Sequence, residues 1–443
     1  MKYHIKTFGC QMNVCDSEWL AQALKSRGWE PVAEEEADAI LVNTCSVREK
    51  PEQKVYSQLG RLRKNNPRAV VGVGGCVAQQ VGRRFWEKFP HVRLVFGPDG
   101  VASVPESLER LASTPDLRIS LLNFSEHYPE RERVWSGSNQ PAQRFVTIMQ
   151  GCDNFCAYCI VPYTRGRQKS RASSEVLREC EELVESGVRE ITLLGQNVNS
   201  YGRDGRSAEM GFAELLERVC SIPGLLRVRF TTSHPKDMDP EVIRAFGRLE
   251  ALCPSLHLPL QAGSDRVLRK MGRRYTSQDY LRLVEELRAA CPDIVLSTDL
   301  MVGFPSETEE DFQQTLELMR RVGFDSSFSF KYSDRPGTRA ETMPEKVAEP
   351  EKADRLERLQ ALQQELTTES LLSLRDQTVT VLVEGAGSRQ NGGILSWRGR
   401  EPGGRVVNFS PHDAGDLTGM MAAVRVREVK KHSVYGEVVD KPW

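Results

Sequence analysis

Short apolar runs alternate with helix-like patterns along the first hundred or so residues. The apolar runs lie at 2–8, 39–44, 69–74 and 93–97, and helical patterns lie between them at 16–27, at 49–65 and within 77–89. Strands that alternate with helices are typical of a parallel sheet with helices on both faces. The pattern therefore predicts a doubly wound, parallel-sheet α/β domain, which we assign to residues 1–118.

A second series of strands and helices follows a polar stretch at 119–143, predicted to be a linker because prolines and a Ser-Gly-Ser triplet interrupt it. Its apolar runs lie at 144–150, 190–195, 227–232, 255–261, 294–300 and 326–332. Six such units are fewer than the eight of a closed barrel. We therefore predict an open, partial (βα)6 barrel over residues 144–374.

The chain from residue 375 onward changes to short β runs joined by glycine-rich turns. The runs lie at 378–384, 393–397, 405–410 and 421–429. Before them, leucines at helical spacing in 344–375 predict a connecting helix with an apolar face. Residues 375–443 are therefore predicted to form a small β-barrel.

Composition and charge limit the classes of function. The 443 residues include 60 Lys and Arg against 61 Asp and Glu, a net charge of −1, which excludes a positive field that attracts nucleic acid over the whole surface. The sequence has no membrane-length apolar run and no signal-peptide core, so we predict a cytoplasmic protein without a membrane partner. Eleven cysteines in a reducing compartment favour metal ligation or catalysis over disulfides.

Three cysteines with close, regular spacing follow the first strand of the predicted barrel: Cys152-x-x-x-Cys156-x-x-Cys159. A structural zinc ion is one alternative, but it requires four ligands and no obvious fourth lies nearby. Three thiolates suit a 4Fe–4S cluster in which one iron stays open for another ligand. The spacing therefore favours an iron–sulfur cluster at the mouth of the barrel.

A second set of three cysteines is spread over the first domain. Cys10, Cys45 and Cys76 each follow one of its first three predicted strands. The carboxyl ends of parallel strands meet at one sheet edge, where ligands bind, so we expect these thiols to converge. The alternative, three unrelated buried thiols, stays open on this argument alone.

The first triple, with the aromatic Tyr158 before its last cysteine, resembles the radical S-adenosylmethionine (SAM) superfamily. The resemblance implies that the cluster cleaves SAM to a 5′-deoxyadenosyl radical. It also implies SAM contacts at Tyr158, at Gly195 and Gln196 after the second barrel strand, and at Asp299 in the fifth. Gly195 could instead serve only a turn, and Tyr158 only packing.

The sequences around the second triple resemble the amino-terminal domain of the methylthiotransferases. They are Thr7-Phe8-Gly9-Cys10-Gln11-Met12-Asn13, Asn43-Thr44-Cys45-Ser46-Val47-Arg48-Glu49-Lys50 and Gly74-Gly75-Cys76-Val77-Ala78-Gln79-Gln80. The resemblance implies an auxiliary 4Fe–4S cluster on Cys10, Cys45 and Cys76 that donates sulfur, hence two clusters and two SAM molecules per turnover. No side chain beyond these ligands is assigned as catalytic. Cys180, Cys220, Cys253 and Cys291 are expected to be inert, and Cys15 is left unassigned.

The residues after Cys45, together with Gln196-Asn197-Val198-Asn199-Ser200-Tyr201-Gly202, resemble the MiaB-type branch of this family. That branch adds a methylthio group at C2 of N6-isopentenyladenosine, at tRNA position 37 beside the anticodon. Two alternatives within the family are a threonylcarbamoyl-adenosine tRNA and a ribosomal-protein aspartate. An alternative from another class is a non-catalytic iron–sulfur or zinc RNA-binding protein.

Two basic segments are candidates for RNA contact. Arg165, Arg167, Lys169 and Arg171 form an acid-free run just after the first triple, with Tyr163 beside it as a possible stacking residue. Arg398 and Arg400 flank a glycine in the carboxyl-terminal barrel, which resembles the RNA-binding TRAM domain. The expected partners are the tRNA anticodon stem-loop, a low-potential electron donor of the flavodoxin or ferredoxin type, and a sulfur source.

Overall fold

The computed structural model describes residues 1–46, 49–129, 141–205, 210–387, 396–410 and 415–443. Part of the predicted linker, residues 130–140, lies outside the described residues. So do residues 47–48 after Cys45 and the start of the run predicted at 393–397.

A parallel sheet of six strands forms the first domain. The strands are β1 (Lys2–Phe8), β2 (Glu30–Pro31), β3 (Ala39–Thr44), β4 (Val70–Gly75), β5 (Val92–Phe96) and β6 (Ile119–Leu121). Their order is β2-β1-β3-β4-β5-β6 and all neighbours are parallel. The helices are α1 (Gln11–Ser26), α2 (Glu49–Asn65), α3 (Cys76–Val81), α4 (Phe85–Lys88) and α5 (Val104–Ser113). This confirms the doubly wound sheet, although β6 lies within the stretch predicted as linker.

Both faces of the central strands β3 and β4 are buried, which explains why these strands are largely apolar without alternation. Successive strand residues point to opposite faces. Leu41 packs with Trp19 in one apolar cluster, whereas its neighbours Ile40 and Val42 belong to the cluster on the other face. Two helical layers therefore cover the sheet and leave its carboxyl edge for ligands.

The second domain is an open barrel with six main strands. Its strands are β7 (Gln143–Thr147), β8 (Met149–Gln150), β9 (Lys169–Ser170), β10 (Glu190–Leu194), β11 (Arg227–Thr231), β12 (Ser255–His257), β13 (Val295–Val302) and β14 (Ser326–Lys331). The sheets β11-β10-β7 and β12-β13-β14 are parallel, and a bridge between Val228 and Leu252 connects them. β8 and β9 form a separate antiparallel pair. This confirms the partial (βα)6 barrel.

Helices cover the outside of this barrel. The short helices α6 (Val161–Thr164) and α10 (Asp265–Met271) lie next to the cysteine loop, and the outer helices are α7 (Ser173–Glu185), α8 (Phe212–Cys220), α9 (Pro240–Arg248), α11 (Ser277–Ala290), α12 (Glu309–Val322) and α13 (Glu349–Leu372). One continuous apolar cluster lies between these helices and the strands. In the part of the chain that the structure describes, no helix has the length and apolar character needed to span a membrane.

A closed barrel of five strands completes the chain. The strands are β15 (Thr378–Ala386), β16 (Trp397–Arg400), β17 (Val406–Ser410), β18 (Met421–Val429) and β19 (Val434–Val438), in the order β15-β16-β17-β19-β18. Arg227 Nη1 and Nη2 donate hydrogen bonds to the carbonyl oxygens of Arg400, at 2.7 Å, and Thr380, at 2.8 Å. Arg227 begins β11, so the small barrel packs at the amino-terminal ends of the (βα)6 strands, whereas the cysteine loop follows their carboxyl ends.

The first domain packs against β7, the strand at one open side of the barrel. The Thr147 hydroxyl contacts the Met12 sulfur at 3.6 Å, and Arg144 pairs with Glu18 at 2.9 Å. The Cys15 thiol, which the sequence left unassigned, faces the Phe145 carbonyl at 3.6 Å. Cys15 thus contacts the barrel, and burial raises its pKa.

Candidate functional site

Cys10, Cys45 and Cys76 come together at the carboxyl edge of the first sheet. Phe8 pairs with Thr44, and Thr44 pairs with Gly75, so the three cysteines follow adjacent strand ends in register. Cys10 and Cys45 share a side-chain hydrogen bond, which is the main reason that the pKa of Cys10 is lowered to about 6. The convergence expected from the strand order is therefore what the structure shows.

Two asparagines and two glycines build this edge. Asn13 Nδ2 donates to Asn43 Oδ1 at 2.9 Å, and Asn43 Nδ2 donates back to the Asn13 carbonyl at 3.0 Å. A β-carbon at Gly75, where φ is +87°, would lie 2.1 Å from the Thr44 carbonyl oxygen, and one at Gly9 would lie 2.6 Å from the Asn13 side chain. The edge is thus too tightly packed for any larger residue at either glycine.

Arg165 reaches this cysteine triple from the barrel domain. Its side chain is 3% exposed, and its Nη2 lies 3.9 Å from Asp16 Oδ2. Burial alone would disfavour the charge, but the neighbouring Cys76, Cys10, Asp16 and Cys45 raise the pKa of Arg165 above its usual range. The structure thus places Arg165, predicted to contact RNA phosphates, inside the protein with its side chain 3% exposed.

Two other members of the acid-free run are also held inside the protein. Lys169, with a side chain 2% exposed, pairs with Asp99 of the first domain. Arg171 pairs with Glu179 at 2.7 Å. Lys169 and Arg171, both predicted to contact phosphates, are thus paired with acidic side chains in the structure. The basic run contains no acidic residue of its own, but acidic residues outside it neutralise these side chains in the folded protein.

Arg167 is the member of the run that faces solvent. Its side chain is 64% exposed and pairs with Asp153 at 2.7 Å, and its guanidinium lies 5.2 Å from the ring centre of Phe155. Phe155 is 43% exposed and Tyr163 is 50% exposed. Exposed rings beside an arginine suit the stacking of unpaired bases.

Cys152, Cys156 and Cys159 lie in a compact loop after β8. Gly151 and Phe155 both have positive φ, +80° and +47°, and the Cys159 amide donates to the Cys156 carbonyl at 3.0 Å. Burial raises the pKa of Cys152 to about 11 and that of Cys159 to about 12. These cysteines are therefore thiols at neutral pH when no metal is bound, and a metal that binds them must displace their protons.

Arg273 supports this loop and was not identified from the sequence. It is buried; its Nη1 contacts Cys156 Sγ at 3.6 Å and its Nη2 donates to the Pro259 carbonyl at 2.8 Å. Its Nε lies 3.1 Å from the Tyr275 hydroxyl. Burial raises the pKa of the neighbouring Tyr158. No local pattern marks Arg273, because its partners come from three separate segments.

A hydrogen-bond network also connects the loop to the ends of β10 and β11. Asp237 Oδ2 accepts from Asn154 Nδ2 at 3.1 Å and from Asn197 Nδ2 at 2.7 Å. Gln196 Oε1 accepts from the Gly151 amide at 2.6 Å. The structure thus brings the predicted SAM-side residue Gln196 into direct contact with the cysteine loop.

The remaining predicted SAM contacts occupy different positions. A β-carbon at Gly195 would lie 2.5 Å from Met149 Cγ, so this glycine permits close packing beneath the loop. Asp299 lies in the middle of β13, where its Oδ1 is 3.5 Å from His257 Nε2. His257 Nδ1 is 3.0 Å from the Ser297 hydroxyl. This places a polar group inside the barrel, deeper than the cysteine loop.

Both triples consist of cysteine thiols, the residues that ligate iron–sulfur clusters in proteins. Among the described residues, no three His, Cys, Asp or Glu side chains converge closely enough to hold a single ion. In a 4Fe–4S cluster each thiolate binds a different iron, so its three ligands need not meet at one point.

Comparison with known proteins gives the same family across the whole chain. Residues 146–319 match the Radical SAM superfamily, and residues 2–97 match the uncharacterized protein family UPF0004. The chain is 57% identical to the tRNA-2-methylthio-N(6)-dimethylallyladenosine synthase of Nitratidesulfovibrio vulgaris, over 100% of this chain and 99% of the relative. It is 54% identical to the protein of that name from Oleidesulfovibrio alaskensis, over 98% of each.

A solved structure shares the fold. The radical S-adenosylmethionine methyltransferase TsrM from Kitasatospora setae superposes with a TM-score of 0.57 at 15% identity, over 77% of this chain and 74% of that one. Such a low identity supports the architecture only. The identity to the synthases, in contrast, extends over the full length, and we conclude that the chain belongs to the tRNA-2-methylthio-N6-dimethylallyladenosine synthase family of radical SAM methylthiotransferases.

Proposed function

We propose that this enzyme inserts a methylthio group at C2 of N6-isopentenyladenosine beside the anticodon of tRNA. The observation that carries the proposal is the position of its two cysteine triples, each at the carboxyl end of a parallel sheet. The short segment 160–165 runs from Cys159 to Arg165 beside the other triple. A site that joins a radical generator to a sulfur donor requires such an arrangement.

Each triple would hold one 4Fe–4S cluster. Cys152, Cys156 and Cys159 would hold a cluster that passes an electron to SAM, and cleavage of SAM would give methionine and the 5′-deoxyadenosyl radical that removes hydrogen from the adenosine carbon. Cys10, Cys45 and Cys76 would hold the cluster whose sulfur accepts a methyl group from a second SAM, which leaves as S-adenosylhomocysteine. The protein's own residues orient these groups and exclude water. Reduction requires a low-potential donor of the flavodoxin or ferredoxin type, and a sulfur source must restore the sulfur after turnover.

The polar network around the first triple would fix the geometry of SAM. Gln196 and Asp237 connect the cysteine loop to two strand ends, and Arg273 braces it from a third side. Tyr158 and Gly195 border the same loop, and Asp299 adds a carboxylate further inside. A loop braced from several strands holds its ligands rigidly, which radical chemistry needs if the reactive carbon is to meet only its target.

RNA would approach across the exposed rim formed by Phe155, Tyr163 and Arg167. The two rings can stack on unpaired bases of the anticodon loop, and Arg167 can exchange Asp153 for a phosphate. Arg398 and Arg400, with side chains 48% and 36% exposed near Glu384, would contact RNA farther from the cysteines. This follows because the small barrel packs at the opposite ends of the strands.

The test uses anaerobically reconstituted protein with SAM, dithionite, a sulfide source and tRNA that carries N6-isopentenyladenosine. We expect 5′-deoxyadenosine and a gain of one methylthio group by mass spectrometry. Cys156→Ala should abolish the deoxyadenosine, because it removes a ligand of the radical cluster. A reaction with threonylcarbamoyl-adenosine tRNA alone, or with a ribosomal-protein aspartate, would contradict the assigned target. Failure to form any 5′-deoxyadenosine would instead favour a non-catalytic RNA-binding protein.

A further inference from the structure

Arg165 is a buried cation whose side-chain donors lack acceptors. Its Nη1 and Nη2 have no hydrogen-bond partner among the described residues, although the side chain is 3% exposed. Asp16 is the acidic group nearest to it, and at 3.9 Å it is too far for a hydrogen bond. Leaving a buried charged donor unpaired is expensive, so a ligand is the natural partner of these N–H groups.

The position of Arg165 identifies the kind of ligand. Asp16, 3.9 Å from its Nη2, lies on α1, the helix that begins directly after Cys10, and the charges of Cys76, Cys10 and Cys45 raise the pKa of Arg165. Three thiolates and inorganic sulfides make a group with negative charge at its surface. A guanidinium carries several N–H donors in one plane and stays charged when buried, which suits it to such an acceptor better than a lysine.

The backbone holds Arg165 firmly in this place. Its amide donates to the Val161 carbonyl at 2.8 Å at the end of α6, and α6 packs against α3, the helix that begins with Cys76. The same segment starts directly after Cys159. Arg165 therefore lies six residues after Cys159 of one triple, and the packing of α6 on α3 brings it beside Cys76 of the other.

We propose that Arg165 is a positioning residue for the auxiliary site, where its N–H groups bind the sulfur atoms of the group held by Cys10, Cys45 and Cys76. The inference rests on the proposed function, because it requires that this triple carries a cluster. Arg165 stabilises the extra negative charge of the reduced form. Its planar N–H donors would also restrict the orientation of the sulfur atoms that they bind.

The test compares full-length Arg165→Gln and Arg165→Lys with the wild-type enzyme and with Arg144→Gln. Arg144 is a suitable control, since it also joins the barrel to α1, through Glu18, at 2.9 Å. Each protein is reconstituted anaerobically, its iron and sulfide are counted, and its clusters are titrated with dithionite while the electron paramagnetic resonance spectrum is followed. To isolate the auxiliary signal, the titration is repeated on a Cys152→Ala, Cys156→Ala, Cys159→Ala background.

We expect Arg165→Gln to shift the auxiliary midpoint to a more negative potential and to change its spectrum. Arg165→Lys should recover most of the potential but not the spectrum, because it keeps the charge without the planar donors. Arg144→Gln should have the same midpoint potential and the same spectrum as the wild type. An unchanged potential and spectrum in Arg165→Gln with full iron would overturn the proposal. About four irons in the wild type, rather than about eight, would instead contradict the proposed function itself, because it would mean a single cluster.

Discussion

Lys169 of β9 and Asp99 of the first domain form an ion pair across the domain boundary, with side chains 2% and 4% exposed. The Asp99 carboxylate also accepts from the Gln150 side chain and from the Ser125 amide. A buried pair with added hydrogen bonds is costly to break, because the remaining charge has no water around it. This pair therefore connects the first domain to the barrel domain.

Replacing Lys169 with Met should destabilise the protein, since Asp99 would be left buried without its cation. The expected loss is about 3–5 kcal/mol of unfolding free energy for the domain contact, measured as a lower urea midpoint. Adding Asp99→Leu should recover part of the loss, because no buried charge then remains. If the single variant keeps its stability and instead weakens tRNA binding, Lys169 contacts RNA after all.

Gly75→Ala should remove the auxiliary cluster without unfolding the first domain. The new β-carbon would lie 2.1 Å from the Thr44 carbonyl, which forces apart the strand ends that carry Cys45 and Cys76. Iron should fall from about eight to about four per chain, the content of one cluster.

Gly28→Ala is the matched control for this change, because Gly28 also has positive φ, +77°, but no atom lies within 4 Å of its new β-carbon. It should cost about 1–2 kcal/mol from backbone strain and keep all its iron. Equal iron contents in Gly75→Ala and Gly28→Ala would show that the close contact between a β-carbon at position 75 and the Thr44 carbonyl does not affect cluster binding.

Arg167→Gln should weaken binding of the anticodon stem-loop and reduce its salt dependence. Losing one phosphate contact lowers the slope of log affinity against log salt by about one or slightly less. Fluorescence anisotropy at several salt concentrations measures both quantities. Arg244→Gln is the control, since Arg244 is also exposed and paired with an acid, Glu241, on the outer helix α9. If Arg167→Gln leaves the salt slope unchanged, Arg167 does not contact an RNA phosphate.

His234→Asn should make stability less dependent on pH below about 6.5. Burial first, and then the charge of Arg273, lowers the pKa of His234 from 6.5 to about 2. Below pH 6.5 the unfolded chain therefore binds a proton at His234, whereas the folded protein keeps this histidine neutral. The wild type should lose stability as pH falls, by up to about 1.4 kcal/mol per unit from this group.

Urea unfolding at pH 7.5, 6.0 and 5.0 checks the prediction for His234. The difference in unfolding free energy between wild type and His234→Asn should change with pH in the acidic range and stay constant above it. A difference that is the same at all three values would show that the histidine is protonated to a similar extent in both states.

The two cysteine triples show how far the sequence could lead. Cys152, Cys156 and Cys159 are close in sequence, so their spacing alone indicates a shared ligand. Cys10 and Cys76 are far apart, but each follows a buried parallel strand, and strand order brings such ends together. Both sets depend on local pattern or on regular topology, which the order of apolar and polar residues already contains.

The basic run and Arg273 show what the order of apolar and polar residues does not predict. Arg165 and Lys169 were predicted to contact RNA, yet both point inward, because Asp16 and Asp99 approach from another domain. Arg273 reaches Cys156 across a separation of 117 residues.

The sequence by itself determined the three-part architecture, the family and the six cysteines, because periodicity, spacing and strand ends are properties of the chain. Only the tertiary structure decided which charges face solvent and which brace the cysteine sites. Burial and pairing depend on residues that folding brings together, and no local pattern records them.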